Sequence, residues 1–296
     1  MPWETAIQHT AADSDCTKKQ LKLYKYMTPI AFASLLEHGD IKLAYRNETN
    51  DLFECLPEGY GVDEDVLLHL GIVSFTSKAT NHPMWGNYAD KFRGVCVEFE
   101  IDYFHIDPCK KPQNKGEYLA KEGIEYKSIG TDVYFFQYWE DEKHELIDTR
   151  GGDVILKCKY SDKRSDPNSI GIINTPEDHR RWQQRLWRQV STKHTDWKYE
   201  EEYRATMRHQ RCSRCQIGLP VMYFSNTFTR YITKIILGPR CEYTTADVLY
   251  IIKKQRGKFG VNAYMPENVK VVKASIRKDS FDIDIPDNGE LLPDMY

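Results

Sequence analysis

The sequence predicts an α+β fold: a mixed, largely antiparallel sheet with flanking helices. Three observations carry that prediction. Several short segments alternate apolar and polar residues at period two, the mark of half-buried strands, most clearly Val95, Val97 and Phe99 against Cys96, Glu98 and Glu100. Helical patterns fall between these segments in a mixed order. The 296 residues also run without an internal repeat, a low-complexity segment or a dividing linker, so one sizeable core is available.

Composition narrows the class. The chain is 41% hydrophobic and 29% charged, which suits a soluble globular protein, and 12% aromatic, with 19 Tyr and 6 Trp to line pockets as well as cores. The net charge of −3 gives no global attraction for nucleic acid or membrane. No apolar run is long enough to span a bilayer, and Met1 to Asp15 lacks the basic start and apolar middle of a signal peptide, so a cytoplasmic location is expected. The 8 cysteines are scattered and are expected to be reduced thiols.

Taken in order, residues 1–19 read as an N-terminal arm, 20–280 as a single domain and 281–296 as an acidic tail. Leu21 to Tyr26 alternates as a strand, with Leu21, Leu23 and Lys25 on one face; a Lys at the end of that apolar row either snorkels to the surface or faces an anion. Thr28-Pro29 is a helix start, Phe32, Leu35 and Leu36 share a helical face, and Gly39 is the stop. A short strand follows at Ile41 to Tyr45, then a polar loop over 47–54 in which Phe53 reads as buried. Residues 62–70 suggest a short helix, Ile72 to Ser77 a strand ending in hydroxyls, and 84–90 another short helix with Trp85 and Tyr88 on one side. Residues 102–130 are loop-rich, 132–146 read as helical, and Val154 to Tyr160 as a strand. The basic, Trp-bearing segment 176–190 reads as an amphipathic helix covering the sheet with a solvated Arg side, or as a basic face for phosphate or RNA. Strands are expected at 219–224, 231–237 and 269–276, and a helix at 244–256.

The chemistry concentrates between Trp197 and Arg208. Tyr203, Ala205 and Met207 alternate with Arg204, Thr206 and Arg208 as a strand; extended backwards, the pattern puts Glu200, Glu202 and Arg204 on one face and Glu201 on the other. Two carboxylates and a guanidinium in a row suit a positively charged transition state or a sugar hydroxyl, and they equally suit an acidic turn neutralised by its Arg. Lys25 or Tyr26 on the first strand, and Ser74 to Ser77 followed by Trp85 and Tyr88, complete a constellation. Hydroxyl and basic groups fix ribose and phosphate, rings stack on a base, and a carboxylate stabilises the cation left when nicotinamide departs from NAD. His209, Cys212 and Cys215 have metal-compatible spacing but no second pair; Cys241 could supply a fourth zinc ligand, and the reading preferred is loop thiols with no metal expected. Walker, Rossmann, G-x-S-x-G and H-E-x-x-H motifs are absent from the sequence.

Two resemblances follow. Leu23-Tyr24-Lys25-Tyr26, Asn50-Asp51-Leu52-Phe53-Glu54, Ser74-Phe75-Thr76-Ser77, Met84-Trp85-Gly86-Asn87-Tyr88-Ala89-Asp90 and Trp197 to Arg204 look like the signature of a bacterial family of unknown function, across most of residues 21–277. More distantly, the layout is similar to the ADP-ribosyltransferase fold. That resemblance implies Lys25 in place of the usual His or Arg, Ser74 or Ser77 in the middle position, Glu202 as catalytic carboxylate and Glu200 as its partner. It implies NAD as substrate, with Tyr26, Trp85 or Tyr88 stacking on a base and Arg204 in the cofactor site, and an acceptor that is protein, nucleic acid or water. The activity expected is that of an ADP-ribosyltransferase or NAD glycohydrolase acting as a toxin or phage-defence effector. The alternatives are a non-catalytic nucleotide- or RNA-binding module, or a partner-binding protein, on the same scaffold.

Overall fold

The first helix forms where local chemistry directs it. Thr28 has extended backbone angles and accepts from the Ala31 N–H, Pro29 opens the first turn, and Gly39 ends the helix in the left-handed region at φ 66°. The computed structural model describes residues 18–45, 48–51, 53, 70–104, 133–136, 154–163, 186, 189–208, 212–217, 221–259, 266 and 268–289. Among them the strands are β1 (Lys18–Met27), β2 (Ile41–Lys42), β3 (Leu70–Thr76), β4 (Val95–Phe104), β5 (Val133–Phe136), β6 (Val154–Lys157), β7 (Lys159–Tyr160), β8 (Thr192–Lys193), β9 (Glu202–Arg208), β10 (Arg214–Gln216), β11 (Met222–Ser225), β12 (Ile232–Leu237), β13 (Lys270–Lys273), β14 (Ser275–Ile276) and β15 (Ile283–Asp284). The α-helices are α1 (Pro29–His38), α2 (His82–Asn87) and α3 (Thr245–Phe259), with 3-10 turns at Thr195–Glu200 and Thr229–Tyr231.

The main sheet runs β1-β3-β9-β6-β5-β4-β12-β13, and β1 also pairs with β4. That pairing extends from Lys18 opposite Phe104 to Met27 opposite Val95, and it closes six strands into a ring. β4 reaches both of its other neighbours because it is long: Val95 to Phe99 serve β12, and Tyr103 and Phe104 serve β5. The ring pairings are antiparallel and β12–β13 is parallel, so the sheet is mixed and largely antiparallel, in an α+β arrangement. The ring's seam is narrow, with Tyr24 opposite Thr76 joining β1 to β3.

Alternation along the strands supplies two cores. Leu23, Met27, Val73, Phe75, Val97, Phe99, Ala205 and Met207 pack with Phe32 and Leu35 of α1 and Val248 and Ile252 of α3. On the other side, Tyr26, Cys96, Ile236 and Val272 pack with Met84 and Trp85 of α2.

Several expectations are corrected. Residues 133–136, expected as helix, form β5 between β4 and β6; a four-residue apolar and aromatic run does not distinguish the two periods, and strand pairing decides it. Leu70 opens β3 rather than closing a helix, and 62–69 lie outside the described residues. Phe53 is 65% exposed, not buried. Of the segment 176–190, residues 186, 189 and 190 are described and helical. Within 281–296, Ile283 pairs with Ile276 and is buried, an observation that leaves the expected tail as an expectation.

Candidate active site

The acidic stretch does not enter β9 as a straight strand. Thr195–Glu200 is a 3-10 turn, and Glu201 takes a left-handed conformation at φ 44° before β9 begins at Glu202. This turn reverses the Glu201 side chain, whose carboxylate accepts from Ser77 Oγ at 2.6 Å and pairs with Lys78. Glu200 and Glu202 meet on the opposite side, through the turn rather than through a shared strand face.

Both are buried, at 2% and 4% exposure, in a cluster with Lys193 and Arg204. Arg204 grips Glu202 with a two-bond fork, Nε to Oε1 and Nη2 to Oε2, each at 2.9 Å, and its Nη1 donates to the Val190 carbonyl at 2.7 Å. The Lys193 ammonium bonds Glu200 Oε2 and lies 3.1 Å from Glu202 Oε2. The Tyr88 hydroxyl donates to Glu200 Oε1. The backbone N–H of Glu202 donates to the Tyr160 hydroxyl at 2.8 Å.

The two carboxyls are driven apart. Burial pushes Glu202 up, but the charges of Arg204 and Lys193, with hydrogen bonds from Arg204 and Ser74, outweigh it and hold the group below the usual carboxylate range. Burial and the neighbouring charge of Glu202 push Glu200 up, offset in part by Lys193 and Tyr88. One carboxylate is thus kept ionised beside another biased toward holding a proton, the division of labour that acid–base chemistry uses.

Ser74, on β3 opposite Arg204 of β9, is exposed and hydrogen-bonds to Glu202, so the buried cluster meets solvent there. Lys25 of β1 is half-buried, donates to the Ser74 carbonyl at 3.2 Å and feels the charge of Glu202. Burial brings its amine down to about 8.

The sequence candidates therefore divide. Glu200, Glu202, Arg204, Ser74, Lys25 and Tyr88 come together. Ser77 does not: its hydroxyl serves Glu201. Tyr26 and Trp85 lie in the α2 core, edge to face at a centroid distance of 5.1 Å, with the Trp85 Nε1 donating to the Ala79 carbonyl at 2.8 Å. Trp85 is fully buried and presents no open ring face to a base. His209 lies outside the described residues; Cys212 is half-buried and Cys215 exposed beside β11. Sequence reasoning missed Lys193 and Tyr160. No motif marks either; the available signal was that three consecutive acids, Glu200 to Glu202, require cations from elsewhere in the chain.

A family model described as a protein of unknown function (DUF2971) matches residues 84–205. It bears out the resemblance to a family of unknown function, and the matched stretch contains Tyr88, Lys193, Glu200, Glu202 and Arg204 but not Lys25 or Ser74. No curated protein and no solved structure matches the chain. Among the described residues, no helix is long and apolar enough to cross a membrane.

Proposed function

We propose that the chain is an enzyme that breaks the nicotinamide–ribose bond of NAD, as an ADP-ribosyltransferase or NAD glycohydrolase on an ADP-ribosyltransferase-like scaffold. The observation that supports this is the buried pair of carboxyls, Glu202 held ionised by Arg204 and Lys193 and Glu200 pushed up by burial beside it, next to an exposed serine and a lysine amine. Glu202, kept ionised, stabilises the ribosyl cation as nicotinamide leaves. Glu200 takes the proton of the acceptor hydroxyl or water. Ser74 binds a ribose hydroxyl, and Lys25 binds the diphosphate as a point charge, without the planar fork an arginine would bring. NAD is then a substrate, and the acceptor is a protein, a nucleic acid or water. Uncontrolled, either activity harms the cell that makes it, which is where a toxin or phage-defence role fits this reading.

A second reading, a nucleotide- or RNA-binding module without turnover, is favoured by one specific feature. All four oxygens of Glu200 and Glu202 already accept from protein donors. One experiment separates the two. Purified protein is incubated with base-labelled NAD, with and without cell lysate, beside Glu202→Gln and Glu200→Gln variants whose folding is checked by circular dichroism. Release of nicotinamide by the wild type, reduced about 100-fold or more in folded Glu202→Gln, supports the enzyme. Full turnover in folded Glu202→Gln sinks the assignment. Silence with lysate, together with salt-sensitive nucleotide or RNA binding, moves the protein to the second reading.

A further inference from the structure

Lys193 is 5% exposed, and its ammonium meets Glu200 Oε2, Glu202 Oε2 at 3.1 Å and the Trp197 ring at 4.7 Å from the centroid. It arrives from β8, a two-residue strand paired in parallel with β7. The geometry points to Lys193 as a positioning residue that decides whether Glu200 carries a proton, keeping Glu200 available as a base, while Arg204 alone suffices to keep Glu202 ionised. The assignment deepens the proposed enzyme, and only its consequence for turnover rests on that reading.

The asymmetry of the partners carries the argument. Glu202 is bonded by both arms of the Arg204 fork and by Ser74 as well as by Lys193. Glu200 is faced by Tyr88 at the end of α2, by Lys193 from β8, by Glu202 from β9 and by Tyr199 from its own turn. Tyr160 of β7 lies at the backbone of Glu202 and within electrostatic reach of Glu200. Among the described residues, Lys193 is the cation paired with Glu200. Without that charge, Glu200 is a buried carboxyl beside another carboxylate with a neutral tyrosine as donor, and protonation is its way out. Glu202 keeps a bidentate guanidinium and stays ionised.

Titration of the side-chain carboxyls by carbon-13 NMR on glutamate-labelled protein tests this without any ligand, with Glu200→Gln and Glu202→Gln assigning the two signals. In Lys193→Met the Glu200 midpoint is expected to rise by about one pH unit or more while Glu202 stays ionised, and Lys193→Arg is expected to restore the wild-type midpoint. A Glu200 midpoint that does not move in folded Lys193→Met, or a rise of both carboxyls together, overturns the assignment. Should Lys193→Met fail to fold, Lys193→Gln removes the same charge while keeping a hydrogen-bond donor, under the same criteria. Nicotinamide release measured across pH on these variants addresses the other question. An acid limb that moves with the NMR midpoint extends the assignment to turnover. No release from the wild type, with the NMR rise present, fails the enzyme reading and leaves the role of Lys193 standing.

Discussion

Lys25 carries an amine that the fold makes easier to deprotonate. Burial lowers it from 10.5 to about 8, and the charge of Glu202 opposes the drop without cancelling it. The direction of its effect on stability follows. Between about 8 and 10.5 the unfolded chain holds a proton on Lys25 that the folded chain has released, so the Lys25 contribution to stability rises with pH across that window. Below the window the folded state bears the whole cost of the half-buried charge. The difference in urea-unfolding free energy between wild type and Lys25→Met, followed from neutral pH upward, should therefore grow in favour of the wild type above about 8. A difference that stays flat from pH 7 to 10.5 would mean that the amine is not perturbed. The same property bears on the proposed substrate. A diphosphate at Lys25 favours the charged amine, so affinity for NAD should fall as pH rises through about 8.

Between α2 and β4 lies a turn that L-residues adopt at a cost. Asp90, Lys91 and Phe92 all have positive φ, at 44°, 54° and 71°, and each such residue costs roughly 1–2 kcal/mol relative to a right-handed one. Closure of the structure around the turn holds it there. Gly94 donates to the Ala89 carbonyl at 2.8 Å and Arg240 to the Phe92 carbonyl at 3.1 Å. Any Cβ on Gly94 would stand 2.0 Å from the Met27 carbonyl oxygen, and one on Gly238 would stand 2.3 Å from that of Phe92. Lys91 is exposed, so Lys91→Gly isolates the backbone cost: relief of roughly 1–2 kcal/mol, less roughly 0.5–1 kcal/mol for the extra freedom of glycine in the unfolded chain, should leave a net gain of about 0.5 kcal/mol in urea unfolding. A loss of stability would show that the Lys91 side chain holds the turn. Helix α1 was legible because its Thr28 cap, Pro29 and Gly39 act within a few residues of one another. The alternation of β4 and β9 was legible because each strand lies with one face on the main core. β5 was not, because its identity is set by pairing with β4 and β6, far away in sequence. The acidic stretch was half legible. Period two put Glu200 with Glu202 and turned Glu201 away, which holds, but the left-handed Glu201 and the 3-10 turn accomplish it. Lys193 was not legible at all, since its role exists only once β8 is laid beside the turn.

The ring of strands brings these scales together, because the candidate site sits at its narrow seam. β1 is held to β4 by ten residue pairs and to β3 by the pair Tyr24 and Thr76. Lys25 reaches across the same seam to the Ser74 carbonyl, and Ser74 in turn reaches Glu202 on β9. A ligand that engages both Lys25 and Ser74 would therefore tie together the two strands with the least backbone pairing between them. Native-state hydrogen exchange should resolve two classes of amide on β3: those on the edge away from β9, where β1 supplies the pair Tyr24–Thr76 and Ala44 bonds Ile72, exchanging through local opening, and those turned toward β9, where pairing runs from Leu70–Arg208 to Thr76–Glu202, exchanging close to the global limit. Saturating NAD should slow the first class more than the second. At about 100 times its dissociation constant, a ligand bound to the closed seam and not to the open one protects by about 2.7 kcal/mol, close to a hundredfold in exchange rate. Equal slowing of both classes would mean that the ligand binds away from the seam and stabilises only the whole fold. No slowing in either class, with Lys25→Met indistinguishable from wild type, would separate the seam from nucleotide binding altogether.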